Sequence, residues 1–283
     1  MNGARGKQLA AARPVRPGGV AGSLLAHPKF GPLPGLLLTL TAVTGVVDAV
    51  SILSLGRVFV ANMTGNVVFA GFALVGAPGF SLSASLFALA GFLLGAAAGG
   101  GMIARSGRDR GLLLRASTAA EVVLAGAALL LVGLSGDPGA SHGTLAVSSS
   151  FGPNVADGVA ALLAIAMGIQ NAVARKLAVP DMTTTVLTML LTGLGADFRA
   201  VLRERGRIDR SDRTALSDLS RRLLVVATML AGGVSAAWLV LNVSPLSALA
   251  LGTALLALTA AGAALAASRP GDWRLAPAPP ASR

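Results

Sequence analysis

The chain has 283 residues, of which 54% are hydrophobic and only 12% are charged, and its mean hydropathy is +0.73. A soluble domain carries about twice that charged fraction, so the composition excludes an ordinary soluble protein and predicts an all-α integral membrane protein. The sequence has no Cys, and its two His residues, His27 and His142, fall outside the apolar stretches. This excludes disulfides, thiolate metal sites and histidine relays within the membrane.

The net charge is +11, from 23 Lys and Arg against 12 Asp and Glu. The basic residues lie almost entirely in the gaps between apolar stretches and have no aromatic residues interleaved among them. This arrangement is typical of the cytoplasmic loops of a membrane protein rather than of a nucleic-acid surface. We therefore expect the lipid bilayer as a partner, no nucleic acid and no cofactor.

Residues 1–33 contain five basic residues and no acidic ones, which predicts a disordered basic cytoplasmic tail. Two of the apolar stretches that follow, 58–77 and 183–202, begin with polar or helix-breaking residues. The other six are long enough to approach the roughly 20 residues that a membrane-spanning helix needs. They are approximately Pro34–Leu55, Ser85–Ala104, Leu112–Leu134, Ala156–Val173, Leu223–Leu241 and Leu246–Ala267.

The distribution of Lys and Arg bears on whether stretches 58–77 and 183–202 cross the membrane. If all eight stretches cross, 16 basic residues lie inside and 7 outside. If these two stretches enter and leave on one side, the totals become 22 inside and 1 outside, with only Arg57 outside. The positive-inside rule therefore favours about six transmembrane helices plus two broken or re-entrant helices, although eight crossings stay open.

A short motif recurs in the two halves of the chain. The sequence from Gly45 to Val50, with Asp48 at its fourth position, recurs from Gly168 to Val173, with Asn171 at the fourth. With three crossings in each half, the two structural repeats run in opposite directions, as in many secondary transporters. The predicted organisation is a first membrane repeat at 34–134, an extracytoplasmic loop at 135–155, a second repeat at 156–267 that includes a basic cytoplasmic loop at 199–222, and a cytoplasmic tail at 268–283.

Polar residues within the apolar stretches are the candidates for a substrate or ion site. Hydrocarbon penalises a carboxylate by about 2.5–3.5 kcal/mol on insertion scales, so Asp48 is expected to face a cavity or a partner. A glycine with neighbouring amides and hydroxyls suits a broken helix that lines a polar cavity. The candidates are Asp48, Ser51, Asn62, Thr64, Gly65, Asn66, Gln170, Asn171, Thr184, Thr185 and Thr188.

Glu121 is a further buried acid, because it lies well inside the stretch Leu112–Leu134. It is equally consistent with a functional group and with a neutral acid that hydrogen-bonds between helices. Gly91, Gly95 and Gly99 form a ladder of small residues that predicts close helix packing. No Ser–His pair and no metal-ligand spacing occurs within the apolar stretches, so we expect no enzymatic activity.

The motif from Gly45 through Asp48 and Ser51, continued by Gly56-Arg-Val-Phe-Val-Ala-Asn-Met-Thr-Gly-Asn66, resembles the first motif of the bacterial YoaK family. The segment Gly168-x-Gln170-Asn171-Ala172, followed by a Thr-rich turn and Thr188, resembles its second motif. The resemblance covers about Gly35 to Ala267 and implies a multi-pass protein of the bacterial inner membrane with roughly six helices. It implies no activity.

The residues themselves favour a small-solute secondary transporter or permease, in which Asp48 responds to a cation or proton and the neutral polar groups bind the solute. A passive channel with the same lining and a scaffold that binds a partner or lipid through the loop 199–222 are the alternatives. Both termini are expected in the cytoplasm.

The topology can be tested with single cysteines, because the chain has none of its own. A membrane-impermeant thiol reagent added to intact cells should label Ser141→Cys in the outer loop and leave Ser211→Cys in the cytoplasmic loop unlabelled. Cell lysis should make the second cysteine reactive as a control. Labelling of Ser211→Cys in intact cells would contradict the orientation.

Overall fold

The structure is a computed structural model that describes residues 30–135, 151–177, 179, 191–193, 195 and 210–275. In this part of the chain it is all-helical, as the composition predicts. Seven α-helices are followed by a short 3₁₀ helix at Asp272–Arg274. The α-helices are α1 (Leu33–Ser54), α2 (Met63–Leu74), α3 (Leu82–Ser106), α4 (Arg110–Leu134), α5 (Pro153–Leu177), α6 (Arg210–Asn242) and α7 (Pro245–Ser268).

Six of the described helices are long and apolar enough to cross a membrane, and they coincide with the six predicted stretches. The exception is α2, whose 12 residues span only about 18 Å against a hydrocarbon core of about 30 Å. Helix α6 begins at Arg210, so the second part of the predicted basic loop 199–222 is helical. Residues 210–222 contain neither Gly nor Pro, and nothing in them ends a helix before the apolar part begins.

The helix ends are defined by ordinary capping. Ser81, Asp109 and Ser244 precede α3, α4 and α7, and each side chain accepts a hydrogen bond from a backbone N–H in the first turn. Pro34 and Pro245 occupy the first turns of α1 and α7, where a missing N–H costs nothing.

Helices α1 and α5, which carry the two recurring motifs, form the centre of the bundle. Within their spanning segments 67% and 56% of the residues are buried, against 17–33% in the other four helices. Helix α1 packs on α6 and α7, and α5 packs on α3 and α4. Buried polar groups on α1 and α5 are therefore enclosed by protein rather than exposed to lipid.

The crossing of α3 and α5 depends on glycine. A Cβ on Gly95 would collide with the carbonyl oxygen of Ile165, and a Cβ on Gly168 would collide with that of Phe92. Gly91 faces Ala161 and Gly99 faces Ala172, so the two helices run parallel. The predicted packing role of the ladder is confirmed.

The crossing of α1 and α6 has the same construction. A Cβ on Gly45 would collide with the carbonyl oxygen of Met229, and a Cβ on Gly232 would collide with that of Ala42. In both crossings small residues let two backbones approach, which is the main source of helix association in lipid.

The directions of the remaining helices follow from their contacts. Gly252 of α7 faces Val46 of α1, and Gly262 faces Leu36, so α1 and α7 are antiparallel. Gly111 at the start of α4 faces Ala267 at the end of α7, so these two helices are also antiparallel. Helix α4 therefore runs parallel to α1, and α3, which a short turn joins to α4, runs in the opposite direction. The chain from 55 to 81 consequently begins and ends at the same side of the bundle.

An ion pair joins the start of α4 to the 3₁₀ helix after α7, on the side of the predicted cytoplasmic loops. Asp109, which precedes α4, accepts hydrogen bonds from Arg274 at both carboxylate oxygens. Burial raises the pKa of Asp109, but the hydrogen bonds from Arg274 and from the Leu112 backbone outweigh it and hold the pKa below the ordinary aspartate value. The contribution of this pair to stability is therefore complete above the ordinary aspartate pKa and is lost as the pH falls through the lowered one.

The crossing of α3 and α5 yields a direct test. Gly95→Ala should lower the free energy of unfolding by about 1–3 kcal/mol, because the added methyl group meets a backbone carbonyl. Gly100→Ala on the same helix is the matched control, since nothing lies within 4 Å of its Cβ position. The control should be neutral or stabilising by up to about 1 kcal/mol. Thermal unfolding in detergent measures both, and equal midpoints would contradict the packing.

Candidate functional site

A row of buried polar side chains follows one face of α1. Thr41, Thr44, Asp48 and Ser51 are spaced three, four and three residues apart, which places them on the same side of a helix. Each is at most 8% exposed. We call this row the polar stripe of α1. The hydroxyl groups donate to carbonyl oxygens of the same helix, so the carboxylate is the group with unused hydrogen-bonding capacity.

Asp48 holds the chain that follows α1. Its Oδ1 accepts a hydrogen bond from the backbone N–H of Ala61 at 3.1 Å. Its Oδ2 is buried and has no hydrogen-bond partner in the described part of the chain. Such a half-satisfied carboxyl group inside a bundle is costly, which makes Asp48 the clearest candidate for binding a cation, a proton or a polar solute.

The segment between α1 and α2 turns back along α1. Gly56 and Arg57 both have positive φ, which reverses the chain. Val58, Val60 and Ala61 are then buried in a non-helical segment that brings Ala61 to the level of Asp48. The polar start predicted for the stretch 58–77 thus corresponds to non-helical backbone against a buried acid.

Asn66 is part of the framework of this segment. Its Oδ1 accepts from the backbone N–H of Phe59 at 2.8 Å, and its Nδ2 donates to the carbonyl oxygen of Phe59 at 2.6 Å. The side chain is completely buried. Gly65 is required beside it, because a Cβ there would collide with the Phe59 ring. Both residues therefore maintain the fold of the segment in this conformation, and each polar atom of the Asn66 amide already has a partner.

The other predicted residues of this cluster, Asn62 and Thr64, make no hydrogen bond to Asp48 that the structure gives. Asn62 stands at the N-terminus of α2, but its side chain makes no capping hydrogen bond, and Thr64 is exposed. The predicted polar cluster is therefore split between a framework residue, a half-buried amide and an exposed hydroxyl.

In the second motif, Gln170 reaches α1. Its Nε2 donates to Thr44 Oγ1 at 3.0 Å and approaches the carbonyl oxygen of Leu40 at 3.5 Å, while its buried Oε1 has no partner in the described residues. Asn171 instead donates to the carbonyl oxygen of Met167 on its own helix. The structure thus brings Gln170 onto the polar stripe that carries Asp48, whereas Thr184, Thr185 and Thr188 lie outside the described residues.

Thr44 is a residue of this site that the motif comparison missed. The signal was present in the spacing of Thr41, Thr44, Asp48 and Ser51, but threonine usually bonds back to its own helix and attracts little attention. Burial and the contact with Gln170 distinguish Thr44 from Thr39, which also bonds to its own helix but is only partly buried.

Glu121 lies in the interior of the bundle and is 0% exposed. Neither of its carboxylate oxygens has a hydrogen-bond partner among the described residues. No group of three or more His, Cys, Asp or Glu side chains that could hold a metal ion occurs in the described ranges.

A groove of about 450 Å³ lies between α1, α6 and α7. It is lined mainly by small and apolar residues, including Ala42, Ala231 and Gly232, and by none of the predicted site residues. None of the residues of the polar stripe therefore opens into this groove.

The framework role of Asn66 can be tested by substitution. Asn66→Leu should lower the free energy of unfolding by about 2–4 kcal/mol, because the N–H and the carbonyl of Phe59 both lose their partner. Asn62→Ala is the control and should change it by less than about 0.5 kcal/mol, as expected for a side chain without such a role. Thermal unfolding in detergent measures the difference, and similar losses in both variants would disprove the assignment.

Comparison with known proteins agrees with these features. A family model described as "Protein of unknown function (DUF1275)" matches residues 36–262. The UPF0700 transmembrane protein YoaK of Bacillus subtilis (strain 168) is 32% identical over 200 residues, which cover 70% of this chain and 79% of the relative. No solved structure is significantly similar to the chain. The chain is therefore a multi-pass transmembrane protein that belongs to the DUF1275 family, as its resemblance to YoaK proteins implied.

Proposed function

We propose that this protein is a small-solute secondary transporter built from two inverted repeats, with its site on the polar stripe of α1. The observation that carries the proposal is the half-satisfied carboxyl group of Asp48, which lies next to non-helical backbone and one helical turn from Thr44, the residue that Gln170 of the other motif helix contacts. Broken segments that meet buried polar groups at a repeat interface are the usual construction of solute sites in such transporters.

The two glycine crossings support the repeat. Gly45 meets the carbonyl of Met229 on α6, and Gly168 meets that of Phe92 on α3. Conversely, Gly232 on α6 meets the carbonyl of Ala42, and Gly95 on α3 meets the carbonyl of Ile165. Each of these carbonyls lies three residues before the motif glycine of its own helix. Each motif helix thus crosses a helix of the other half in the same way, although the six-residue motif is the only recurrence that is evident in the sequence.

The helix directions support inversion. Helices α1, α4 and α6 run one way, and α3, α5 and α7 run the other way, as the contacts of Gly91, Gly111 and Gly252 require. If α1, α3 and α4 correspond to α5, α6 and α7, every pair of corresponding helices is antiparallel. An odd number of crossings in each half has this consequence, and it agrees with re-entrant behaviour of the stretch 58–77.

The solute would bind where hydrogen-bonding capacity is unused. Asp48 Oδ2 and Gln170 Oε1 are buried acceptors without partners in the described residues. Two acceptors favour a small solute that donates hydrogen bonds or carries a positive charge. Ser51, Asn62 and Asn171 remain predicted contributors, whereas Asn66 and Gly65 support the segment that closes the site.

The role of Asp48 can be tested by Asp48→Asn, which keeps an acceptor oxygen for the Ala61 N–H but removes the charge. Loss of a charged hydrogen-bond partner costs about 1.5–3 kcal/mol, so the apparent affinity should fall by about 10- to 100-fold. Uptake of a panel of small amines, amino acids and neutral polar solutes into proteoliposomes measures the effect.

Asp272→Asn is the matched control, because Asp272 is an exposed acid outside the spanning helices. It should transport like the wild type. Uptake that is equal in both variants would remove Asp48 from the mechanism, and uptake of none of these solutes by the wild type would refute the transporter proposal.

A further inference from the structure

We propose that Glu121 is the proton-binding site of this protein, so that the coupling ion is a proton rather than a metal cation. The inference rests on the proposed function but concerns a different residue on a different helix. Glu121 is completely enclosed, and both of its carboxylate oxygens lack a hydrogen-bond partner in the described part of the chain. Its carboxyl group is therefore compatible with this closed conformation only in the neutral form.

The depth of Glu121 follows from the contacts of α4. Leu131 packs against Gly158 of the antiparallel helix α5. Glu121 lies ten residues before Leu131 on α4. Because α5 is antiparallel, the residue at the same level on α5 lies ten residues after Gly158, which is Gly168, two residues before Gln170. Glu121 thus lies at the level of the Gln170–Thr44 contact, in the middle of the bundle.

No cation on the described elements around α4 lies at this depth. Arg115, the nearest basic residue on α4 itself, lies about 9 Å along the axis and is exposed. Helix α7 has no titratable residue. The other titratable residues on α4 and on the elements around it lie near helix ends: Arg105 on α3, Asp157, Arg175 and Lys176 on α5, Asp109 and Arg110 at the start of α4, and Asp272 and Arg274 on the 3₁₀ helix.

The surroundings do not suit a metal cation. Na⁺ or a divalent ion needs several oxygen ligands around it. In the described ranges no group of three or more His, Cys, Asp or Glu side chains could hold a metal ion, and Glu121 is the one carboxylate at this depth on the described elements around α4. A proton needs only one carboxylate oxygen, with which it forms a single O–H bond, and it changes the charge of the site from −1 to 0.

The mechanism that follows couples charge to closure. An ionised Glu121 requires water or a polar partner, so the bundle must open around it. Protonation from the aqueous side removes that requirement and permits the close packing seen here. Release of the proton on the other side would then accompany opening in that direction.

The chain contains only two glutamates, Glu121 and Glu204, which makes a clean measurement possible. In the variant Glu204→Gln, protein made with carboxyl-¹³C glutamate carries the label at Glu121 alone. Infrared spectroscopy of this protein in lipid vesicles at pH 7 should show the isotope-shifted band of a protonated carboxylic acid. An isotope-shifted carboxylate band in its place would overturn the proposal.

Proton binding is also tested by the pH dependence of stability. The thermal unfolding midpoint in detergent should fall as the pH is raised for the wild type and for Glu204→Gln, because an ionised Glu121 does not fit the closed bundle. Glu121→Gln, which mimics the neutral acid, should lose this pH dependence. Equal pH dependence in Glu121→Gln and Glu204→Gln would overturn the proposal. Neither measurement requires the solute, so a failure to find any transported solute would count against the proposed function alone.

Discussion

Hydrocarbon cannot accept or donate hydrogen bonds, and every other feature of this protein follows from that constraint. The backbone of the six long helices satisfies itself, but Asp48, Gln170 and Glu121 must be sheltered by protein. Asp48 and Gln170 are sheltered because α1 and α5 lie at the centre of the bundle with the other spanning helices around them, and Glu121 is buried on α4, which packs on α5 and α7. Close packing of that centre depends on glycine at the crossings, where any side chain would meet a carbonyl group.

The same constraint explains the segment after α1. A non-helical chain inside the bundle leaves N–H and carbonyl groups without helical partners, and two side chains supply partners to some of them. Asp48 accepts from Ala61, and Asn66 pairs with both polar groups of Phe59. A carboxyl group and an amide therefore hold a non-helical segment in place, and Asp48 keeps one oxygen free for chemistry while Asn66 keeps none.

The contacts of the polar stripe tie three parts of the chain together. Asp48 links the segment after α1 to that helix, and Gln170 links α1 to α5 through Thr44. A segment held by few hydrogen bonds is easier to move than a packed helix. Under the proposed function, a solute or ion that competes with the Ala61 N–H for Asp48 would therefore loosen the segment first.

Much of the fold followed from the sequence, because hydropathy and the positions of Lys and Arg report directly on the solvent around each segment. The six spanning helices were predicted in this way, the packing role of Gly91, Gly95 and Gly99 from their spacing, and the family from the resemblance of the two motifs. The sequence could not separate Asn66 from Asp48, since both are polar residues in apolar surroundings. Only the tertiary structure decided that Asn66 is fully paired with Phe59, that Gln170 reaches Thr44, and that Glu121 has no partner among the described residues, because hydrogen-bond satisfaction depends on which backbone groups of distant segments come within reach.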